Sequence, residues 1–226
     1  MVQHRISTKA RWDTERIALL AREKDHTRHG DALATERQAL PWVRLDHEYV
    51  FDTEHGSRTL KELFGEHTQL IVYHFMFGTD WEEGCPSCSF WADNFDRINV
   101  HLGARDVTFI AASIAPLKKL LAYRDRMKWS FPWVSTAGTT FNLDFEVSGS
   151  NRYNFRQVEG PIGESPGVSV FVLDDGVVYH TYSAYARGLE AFNGAYHLLD
   201  MVPNGRDESE PEGSMDWLRR NDSYNR

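Results

Sequence analysis

The density of apolar positions changes near residue 41 and divides the chain into a charged N-terminal segment and an apolar-rich remainder. From Thr8 to Leu40 apolar residues are sparse, while Ala, Arg, Glu and Leu are frequent, which is typical of a solvated helix. Gly30 is expected to break this run into two helices, and Pro41 is expected to prevent its continuation. We interpret 1–40 as a helical extension that lies on the rest of the chain or on a second subunit.

Leu70–Phe77 is the strongest strand signal, because its nearly unbroken apolar, β-branched and aromatic residues suit a strand covered on both faces. A second strand is predicted over Val107–Ala112. Between them, apolar residues recur every three or four positions, which predicts a helix. These residues are Cys88, Trp91, Phe95, Ile98 and Leu102. A strand, a helix and a strand in this order predict a right-handed parallel crossover.

The second half of the chain predicts another helix, a hairpin and a final helix. The hairpin is marked by Asp174-Asp175-Gly176 between two apolar runs, Val168–Leu173 and Val177–Tyr182. The other predicted elements are a short strand at Tyr49–Phe51, a short helix at Thr59–Phe64, and helices over Pro116–Met127 and Leu189–Leu199. Residues 135–165 are expected to form a long loop. The predicted fold class is α/β, a mixed sheet flanked by helices, with an N-terminal helical extension.

The domain organisation follows from the same patterns. Residues 41–202 are expected to form one compact domain, because 41% of the chain is hydrophobic and 13% is aromatic, enough for a sizeable core. Residues 203–226 are polar and acidic. We expect them to form a tail that is poorly ordered apart from an anchor at Trp217–Leu218.

The charge balance argues against two classes of partner. The 226 residues carry 33 acidic and 25 basic side chains, a net charge of −8. Binding to nucleic acid or to an anionic membrane normally needs a basic face, so neither partner is expected. The sequence predicts neither a signal peptide nor a membrane span, and the expected location is the cytoplasm.

The chain contains two cysteines, Cys85 and Cys88, in the run Gly-Cys-Pro-Ser-Cys-Ser. A secreted disulfide scaffold would carry more cysteines at wider spacing, so this pair indicates redox chemistry or metal binding. The pair falls after the strongest strand and at the start of the next helix, where the helix dipole favours a thiolate. Pro86 suits the first helical position because it lacks an N–H. The sequence predicts Cys85 as the exposed nucleophile and Cys88, on the buried stripe, as the resolving thiol.

Acidic residues near the pair predict a limit to thiol activation. From Phe75 to Asp96 there is no Lys, Arg or His. The acids in this segment are Asp80, Glu82, Glu83, Asp93 and Asp96. Neighbouring carboxylates disfavour a thiolate and would raise the pKa of the cysteines. The expectation is a moderate or reducing dithiol rather than a strong disulfide donor.

Two other interpretations of the cysteine pair stay open. Two inert, buried cysteines on a helix would have the same spacing. A copper site with two thiols and one imidazole is the metal alternative, with His74 or His180 as the candidate third ligand. A zinc site would need two further ligands, and the histidines show no spacing typical of a zinc finger. No organic cofactor and no resident metal are expected, and glycine-rich phosphate loops are absent from the sequence.

The segments Tyr73–Gly78 and Asp80–Asp93 resemble a bacterial family of thioredoxin-like proteins, formerly of unknown function, that are labelled predicted dithiol–disulfide oxidoreductases. The resemblance extends to Leu40–Val43, Tyr182–Leu189, Tyr196–Asp200 and Met215–Leu218. It implies a thioredoxin-like fold and a redox role. It also implies a cis-proline loop beside the dithiol that presents backbone groups to an extended substrate strand, and Pro166 matches that position in order. Trp81, Pro86 and Pro166 are the candidate supporting or substrate-binding residues.

The leading functional hypothesis is therefore a dithiol–disulfide oxidoreductase that uses Cys85 and Cys88. A thiol peroxidase using Cys85 is one alternative, although Glu82 stands where peroxiredoxins usually carry Thr or Ser. A copper-binding thioredoxin-like module is the other. The expected partners are a protein or small-molecule disulfide and an external thiol reductant, together with a second copy bound through the N-terminal helices.

Overall fold

The computed structural model describes residues 5–208 and 215–224. The chain divides into two compact units, with the boundary between Pro41 and Trp42. Part of the predicted polar tail, 209–214 and 225–226, lies outside the described residues. Within the described residues, no helix is both long enough and apolar enough to cross a membrane.

The first unit contains one helix, α1 (Lys9–Gln38), which runs for 30 residues without interruption. The hydroxyl of Thr8 caps it by accepting a hydrogen bond from the Arg11 N–H at 3.3 Å. The predicted break at Gly30 is therefore wrong. A glycine inside a helix costs only about 1 kcal/mol relative to alanine, and the good helix formers around it outweigh that cost. No side chain of α1 is buried.

The second unit is built on strands that are mostly short. They are β1 (Val43–Arg44), β2 (Val50–Thr53), β3 (Gly56–Thr59), β4 (Gln69–His74), β5 (Val107–Ser113), β6 (Trp133–Ser135), β7 (Arg152–Tyr153), β8 (Arg156–Gln157), β9 (Gly167–Asp174) and β10 (Val177–Tyr185). The helices are α2 (Pro86–Phe95), α3 (Asn99–Gly103), α4 (Leu117–Met127), α5 (Phe141–Asp144) and α6 (Gly194–Leu199), with 3₁₀ turns over Glu62–Phe64 and Ala186–Phe192.

Strands β1 to β6, β9 and β10 form one mixed sheet in the order β1-β10-β9-β4-β5-β6-β2-β3. The β4 and β5 strands are parallel, and α2 and α3 lie between them in the chain. The β9 strand runs antiparallel to β4 and forms a hairpin with β10. A parallel pair at the centre, extended by an antiparallel hairpin on the side of its first strand, is the thioredoxin arrangement. The expected thioredoxin-like α/β fold is confirmed.

Both faces of the sheet are covered, which explains the unbroken apolar run of β4. Alternate side chains of a strand point to opposite faces. Leu70 and Val72 pack in one cluster with Phe141 and Phe171. Tyr73 belongs to the other cluster, together with residues of α2 and α4. The dithiol lies in this second cluster.

Several predicted elements differ from the observed ones in their extent. The helix expected from Cys88 to Leu102 is divided into α2 and α3, because Arg97 adopts a positive φ of 65° between them. The helix expected over Leu189–Leu199 is a 3₁₀ turn followed by α6, whose cap is the Asn193 side chain. The expected loop over 135–165 contains α5 and the β7–β8 hairpin. The helix expected over Thr59–Phe64 is reduced to a 3₁₀ turn after β3.

Candidate functional site

The two cysteines lie where the chain leaves β4 and enters α2. Cys85 occupies the position that caps α2, and Pro86 is the first helical residue. The Cys85 N–H donates to the carbonyl of Met76 at 3.2 Å, which ties the junction to the end of the strand. Gly84 is required by packing, since a Cβ there would lie 2.7 Å from the Phe75 ring and 2.8 Å from the Tyr123 ring.

The two thiols differ in burial, as the apolar stripe predicted. Cys85 is half-buried, whereas Cys88 is 2% exposed. The sulfurs are joined by a hydrogen bond across the first turn of α2. The Met76 N–H also donates to the Cys88 sulfur at 3.5 Å, and the Tyr73 hydroxyl forms a hydrogen bond with the same sulfur.

The hydrogen bonds separate the acidities of the two thiols. The bond from the Cys88 thiol, together with donors from Cys88 and Ser87, lowers the pKa of Cys85 to about 6, although partial burial opposes the shift. Burial is the main reason that the pKa of Cys88 is raised well above its ordinary value. At neutral pH, Cys85 is therefore a thiolate and Cys88 keeps its proton.

This result overturns the expectation that nearby acids raise the pKa of Cys85. Asp80 and Glu82 are exposed. Glu83 is ion-paired with Arg126 and, at 2.7 Å, with Arg220. The sequence expectation failed because the hydrogen bonds from Cys88 and Ser87 lower the pKa of Cys85, and these bonds cannot be read from the count of nearby acids.

The other two acids are held by hydrogen bonds. Asp93 accepts bonds of 2.7 Å from the Trp129 indole and the Asn221 amide. Asp96 accepts bonds from the backbone N–H and the hydroxyl of Ser130, at 2.8 and 2.6 Å. Each of these two carboxylates therefore has hydrogen-bond partners of its own.

Arg220 is a site residue that the sequence did not reveal. Its guanidinium donates to the Gly84 carbonyl at 2.7 Å and to the Tyr123 hydroxyl at 2.9 Å. Ser89 continues this network, since its hydroxyl lies 2.9 Å from the Tyr123 hydroxyl and donates to the Cys85 carbonyl at 2.9 Å. The two carbonyls that flank the nucleophile are thus fixed by side chains. Arg220 lies 136 positions from Gly84, so no local pattern could show the contact.

A cavity of about 550 Å³ adjoins the dithiol at Ser87 and Cys88. Its walls include Pro166, which lies just before β9, and side chains of the segment after β10, such as Leu189 and Tyr196. Cys85 does not line the cavity, but its sulfur is hydrogen-bonded to that of Cys88.

The three predicted supporting residues lie in different places. Pro166 lines the cavity with Cys88, whereas Pro86 is exposed at the start of α2. Trp81 is half-buried against Gly78, and its carbonyl accepts a hydrogen bond from the Lys119 ammonium at 2.8 Å. The expected cis bond is not found, because the peptide bonds of the described residues are trans. The Pro166 carbonyl accepts a hydrogen bond from the Tyr153 hydroxyl at 3.0 Å.

The two candidate imidazoles of the copper alternative have partners other than the thiols. The described residues contain no group of three His, Cys, Asp or Glu side chains that could hold a metal ion. His74 packs on Phe141 and Phe145, in the cluster on the other face of the sheet, and hydrogen-bonds to Ser169 at 2.8 Å. His180 hydrogen-bonds to Ser183 at 2.8 Å. Burial lowers the pKa of His74 to about 3, so its ring is neutral. The copper alternative loses both candidate imidazoles.

Comparison with protein families identifies this chain. The model of a family described as "Bacterial protein of unknown function (DUF899)" matches residues 1–224. The chain belongs to this family. No curated protein matches the sequence.

The chain also has structural similarity to peroxiredoxins. The peroxidoxin BcpB of Mycobacterium tuberculosis is 15% identical, with a TM-score of 0.46, over 68% of this chain and 92% of that chain. A mutant of PrxQ from Xylella fastidiosa is 13% identical, with a TM-score of 0.47, over 67% of this chain and 92% of that chain. A peroxiredoxin-like protein from Aquifex aeolicus is 12% identical, with a TM-score of 0.46, over 64% of this chain and 75% of that chain.

Proposed function

We propose that this member of the family is a dithiol–disulfide oxidoreductase of the cytoplasm, with Cys85 as the nucleophile and Cys88 as the resolving thiol. The observation that carries the proposal is the hydrogen bond between the two sulfurs, which leaves the accessible thiol acidic and the buried thiol protonated. That division of roles is what a two-step exchange requires, because the first step needs a thiolate and the second needs a nearby thiol.

In the first step, the Cys85 thiolate attacks one sulfur of a substrate disulfide. A bond forms between Cys85 and that sulfur, the substrate disulfide breaks, and the other substrate sulfur leaves as a thiolate that takes a proton from water. The Gly84 and Cys85 carbonyls are held by Arg220 and Ser89, so the nucleophile keeps its position at the helix start.

In the second step, Cys88 loses its proton and attacks the Cys85 sulfur of the mixed disulfide. The second substrate sulfur leaves and takes up, through water, the proton that Cys88 released, and the two cysteines are joined across one helical turn. The Met76 N–H and the Tyr73 hydroxyl both lower the pKa of Cys88 against its burial, which assists this deprotonation. An external thiol reductant then reduces the pair, and no organic cofactor takes part.

The acidity of Cys85 also bears on the direction of exchange. A hydrogen-bonded thiolate stabilises the reduced form of a dithiol and makes its disulfide a better oxidant. The reducing character expected from the acidic surroundings is therefore replaced by a shift toward a more oxidising potential. Equilibration with glutathione redox buffers would measure it.

Thiol trapping tests the proposal. After mild oxidation, alkylation of unfolded wild-type protein should show both cysteines protected as an intramolecular disulfide. Cys88→Ser should accumulate a mixed disulfide with the oxidant, and Cys85→Ser, the matched control, should not. The proposal is lost if both thiols remain free after oxidation of folded protein. Catalytic consumption of hydrogen peroxide with a thiol reductant would favour the peroxidase alternative instead.

We also propose that α1 mediates a homodimer. Its exposed apolar side chains include Trp12, Ile17 and Leu20, with Trp12 54% and Ile17 67% exposed. Packing against a second copy would remove these apolar side chains from water. Sedimentation equilibrium of the full chain should show a dimer that Ile17→Lys dissociates, and a monomeric wild type would refute this part.

A further inference from the structure

The backbone beside the buried thiol already has hydrogen-bond partners. The Ser165 N–H donates to the Val147 carbonyl at 2.8 Å. The Tyr153 hydroxyl donates to the Pro166 carbonyl at 3.0 Å and accepts a bond from the Ala186 N–H at 3.1 Å. Tyr153 thus joins the two backbone segments that border the cavity next to Cys88.

These bonds work against recognition of a polypeptide substrate. An extended peptide gains affinity by adding main-chain hydrogen bonds to an open strand edge. The first residue of β9, Gly167, is paired on one side with His74 and on the other with Tyr185. Neither the paired Gly167 nor the occupied groups of Ser165 and Pro166 offer such an edge.

The cavity at the same place has the size and walls of a small-molecule site. Pockets for small ligands typically enclose roughly 300–1,000 Å³ and are lined by apolar and aromatic side chains. The apolar and aromatic part of the lining of this cavity of about 550 Å³ includes Tyr73, Met76, Trp91, Leu189 and Met215.

The charged side chains that line the cavity are already paired, either with a side chain of opposite charge or with a group that donates a hydrogen bond. Glu190 pairs with Arg187 at 2.8 Å and with Arg206 at 3.3 Å. Arg206 also pairs with Asp200 at 2.7 Å. Glu208 accepts hydrogen bonds from the Tyr196 hydroxyl and the Trp217 indole. A charged ligand would have to replace these partners, so the cavity favours an uncharged group.

We propose that the substrate of the dithiol is a low-molecular-weight disulfide with an uncharged apolar or aromatic substituent that occupies this cavity. This inference rests on the proposed function and narrows its substrate class. One substrate disulfide is reduced to two thiols, and its electrons come from Cys85 and Cys88, which become a disulfide. The occupied backbone groups and the apolar part of the cavity lining act together, because the first disfavours a peptide and the second accommodates a small molecule.

Single-turnover oxidation of the reduced full-length protein tests the inference. The probes are 4,4′-dithiodipyridine, which is aromatic and uncharged at neutral pH, cystine, which is zwitterionic, and insulin, a protein disulfide. Each rate is divided by the rate of dithiothreitol with the same probe, which removes differences in intrinsic reactivity. The normalised rate should be about tenfold higher for the aromatic probe than for cystine or insulin, one factor of ten being a modest binding selectivity.

Two variants test separately the poor recognition of a peptide and the binding of an apolar group in the cavity. Tyr153→Phe frees the Pro166 carbonyl and the Ala186 N–H and should raise the normalised insulin rate, whereas Tyr179→Phe, outside the cavity lining, should leave it unchanged. Met215→Trp fills part of the cavity and should lower the rate of the aromatic probe without a matching loss for cystine.

The outcomes distinguish this inference from the proposed function. A normalised rate for insulin equal to or above that of the aromatic probe overturns the small-molecule inference, while oxidation of the pair still supports the oxidoreductase. Equal rates for cystine and the aromatic probe overturn the apolar preference. If none of the three disulfides oxidises Cys85 and Cys88, the oxidoreductase proposal itself fails.

Discussion

The two ends of the chain are both polar, but their described residues have different environments. Helix α1 near the start has no buried side chain, and Arg11 pairs with Glu15 one helical turn away. In the segment 215–224, Leu218 is 3% exposed and Arg220 hydrogen-bonds to the Gly84 carbonyl beside the nucleophile. The average polarity of a terminal segment therefore does not indicate whether the segment packs against the core. In the segment 215–224, the packing is made by a few side chains such as Leu218 and Arg220.

The largest difference should appear when an apolar side chain is replaced by a charge in each region. Leu218→Asp places a carboxylate in the core and should lower the free energy of unfolding by about 3–5 kcal/mol. Leu20→Asp, the matched change on α1, should alter the free energy of unfolding of the monomer by no more than about 0.5 kcal/mol, measured at a protein concentration too low for α1 to pair with a second copy. Urea denaturation, monitored by tryptophan fluorescence, measures the free energy of unfolding of both variants. Similar losses in the two variants would contradict the contrast between the ends.

The second prediction concerns the independence of α1. Gly30 has no atom within 4 Å of the position of a Cβ, so alanine fits there without a clash. Gly30→Ala should stabilise the helix by about 1 kcal/mol, and Ala32→Gly should destabilise it by a similar amount. Hydrogen exchange of the α1 amides should slow in the first variant and accelerate in the second. A change in the exchange of β4 amides would show that α1 is coupled to the site.

The third prediction tests whether the C-terminal segment tunes the thiol. Arg220→Gln removes a cation that neutralises Glu83 and holds the Gly84 carbonyl. The pKa of Cys85 should rise from about 6. A rise of about half a unit would lower the thiolate fraction near pH 6 up to about twofold. The pH profile of iodoacetamide alkylation measures it, and its midpoint should move to higher pH.

Two further variants show whether charge or structure is responsible. Arg220→Lys keeps the positive charge, so the midpoint of its alkylation profile should lie close to that of the wild type. Arg219→Gln is the matched neighbour, because Arg219 donates to carbonyls of its own segment, those of Asp216 and Leu218. An unchanged midpoint in Arg220→Gln would mean that the cysteine hydrogen bonds alone set the pKa.

The elements that could be predicted are those whose apolar period or turn residues lie within a few consecutive positions. Strand β4, the start of α2 and the β9–β10 hairpin each carry their own apolar period or turn residues within a few positions. The strand order then follows from a right-handed crossover and a hairpin. The position of the dithiol could be predicted for the same reason, because the motif lies between two recognisable elements.

The parts that could not be predicted depend on contacts between distant residues. Strand β6 has three residues, too few to show a period, and is defined by its pairing with β5. The acidity of Cys85 depends on a hydrogen bond whose geometry exists only after the helix has formed. The partners of Glu83 come from α4 and from Arg220, and a count of nearby acids does not include these ion pairs.

The smallest effect is expected at Glu82, one of the acids near the dithiol in the sequence. Glu82 is exposed, and an exposed charge is screened by solvent and by salt over about 10 Å at 0.1 M. Glu82→Gln should therefore leave the alkylation midpoint of Cys85 within about 0.2 units of the wild type, less than the shift that a partly buried charge produces. Glu83→Gln is the informative comparison, because it leaves Arg126 and Arg220 without their shared carboxylate and should lower the midpoint. A larger shift in Glu82→Gln than in Glu83→Gln would show that the exposed acid faces the sulfur and that the pairing of Glu83 has little influence on the thiol.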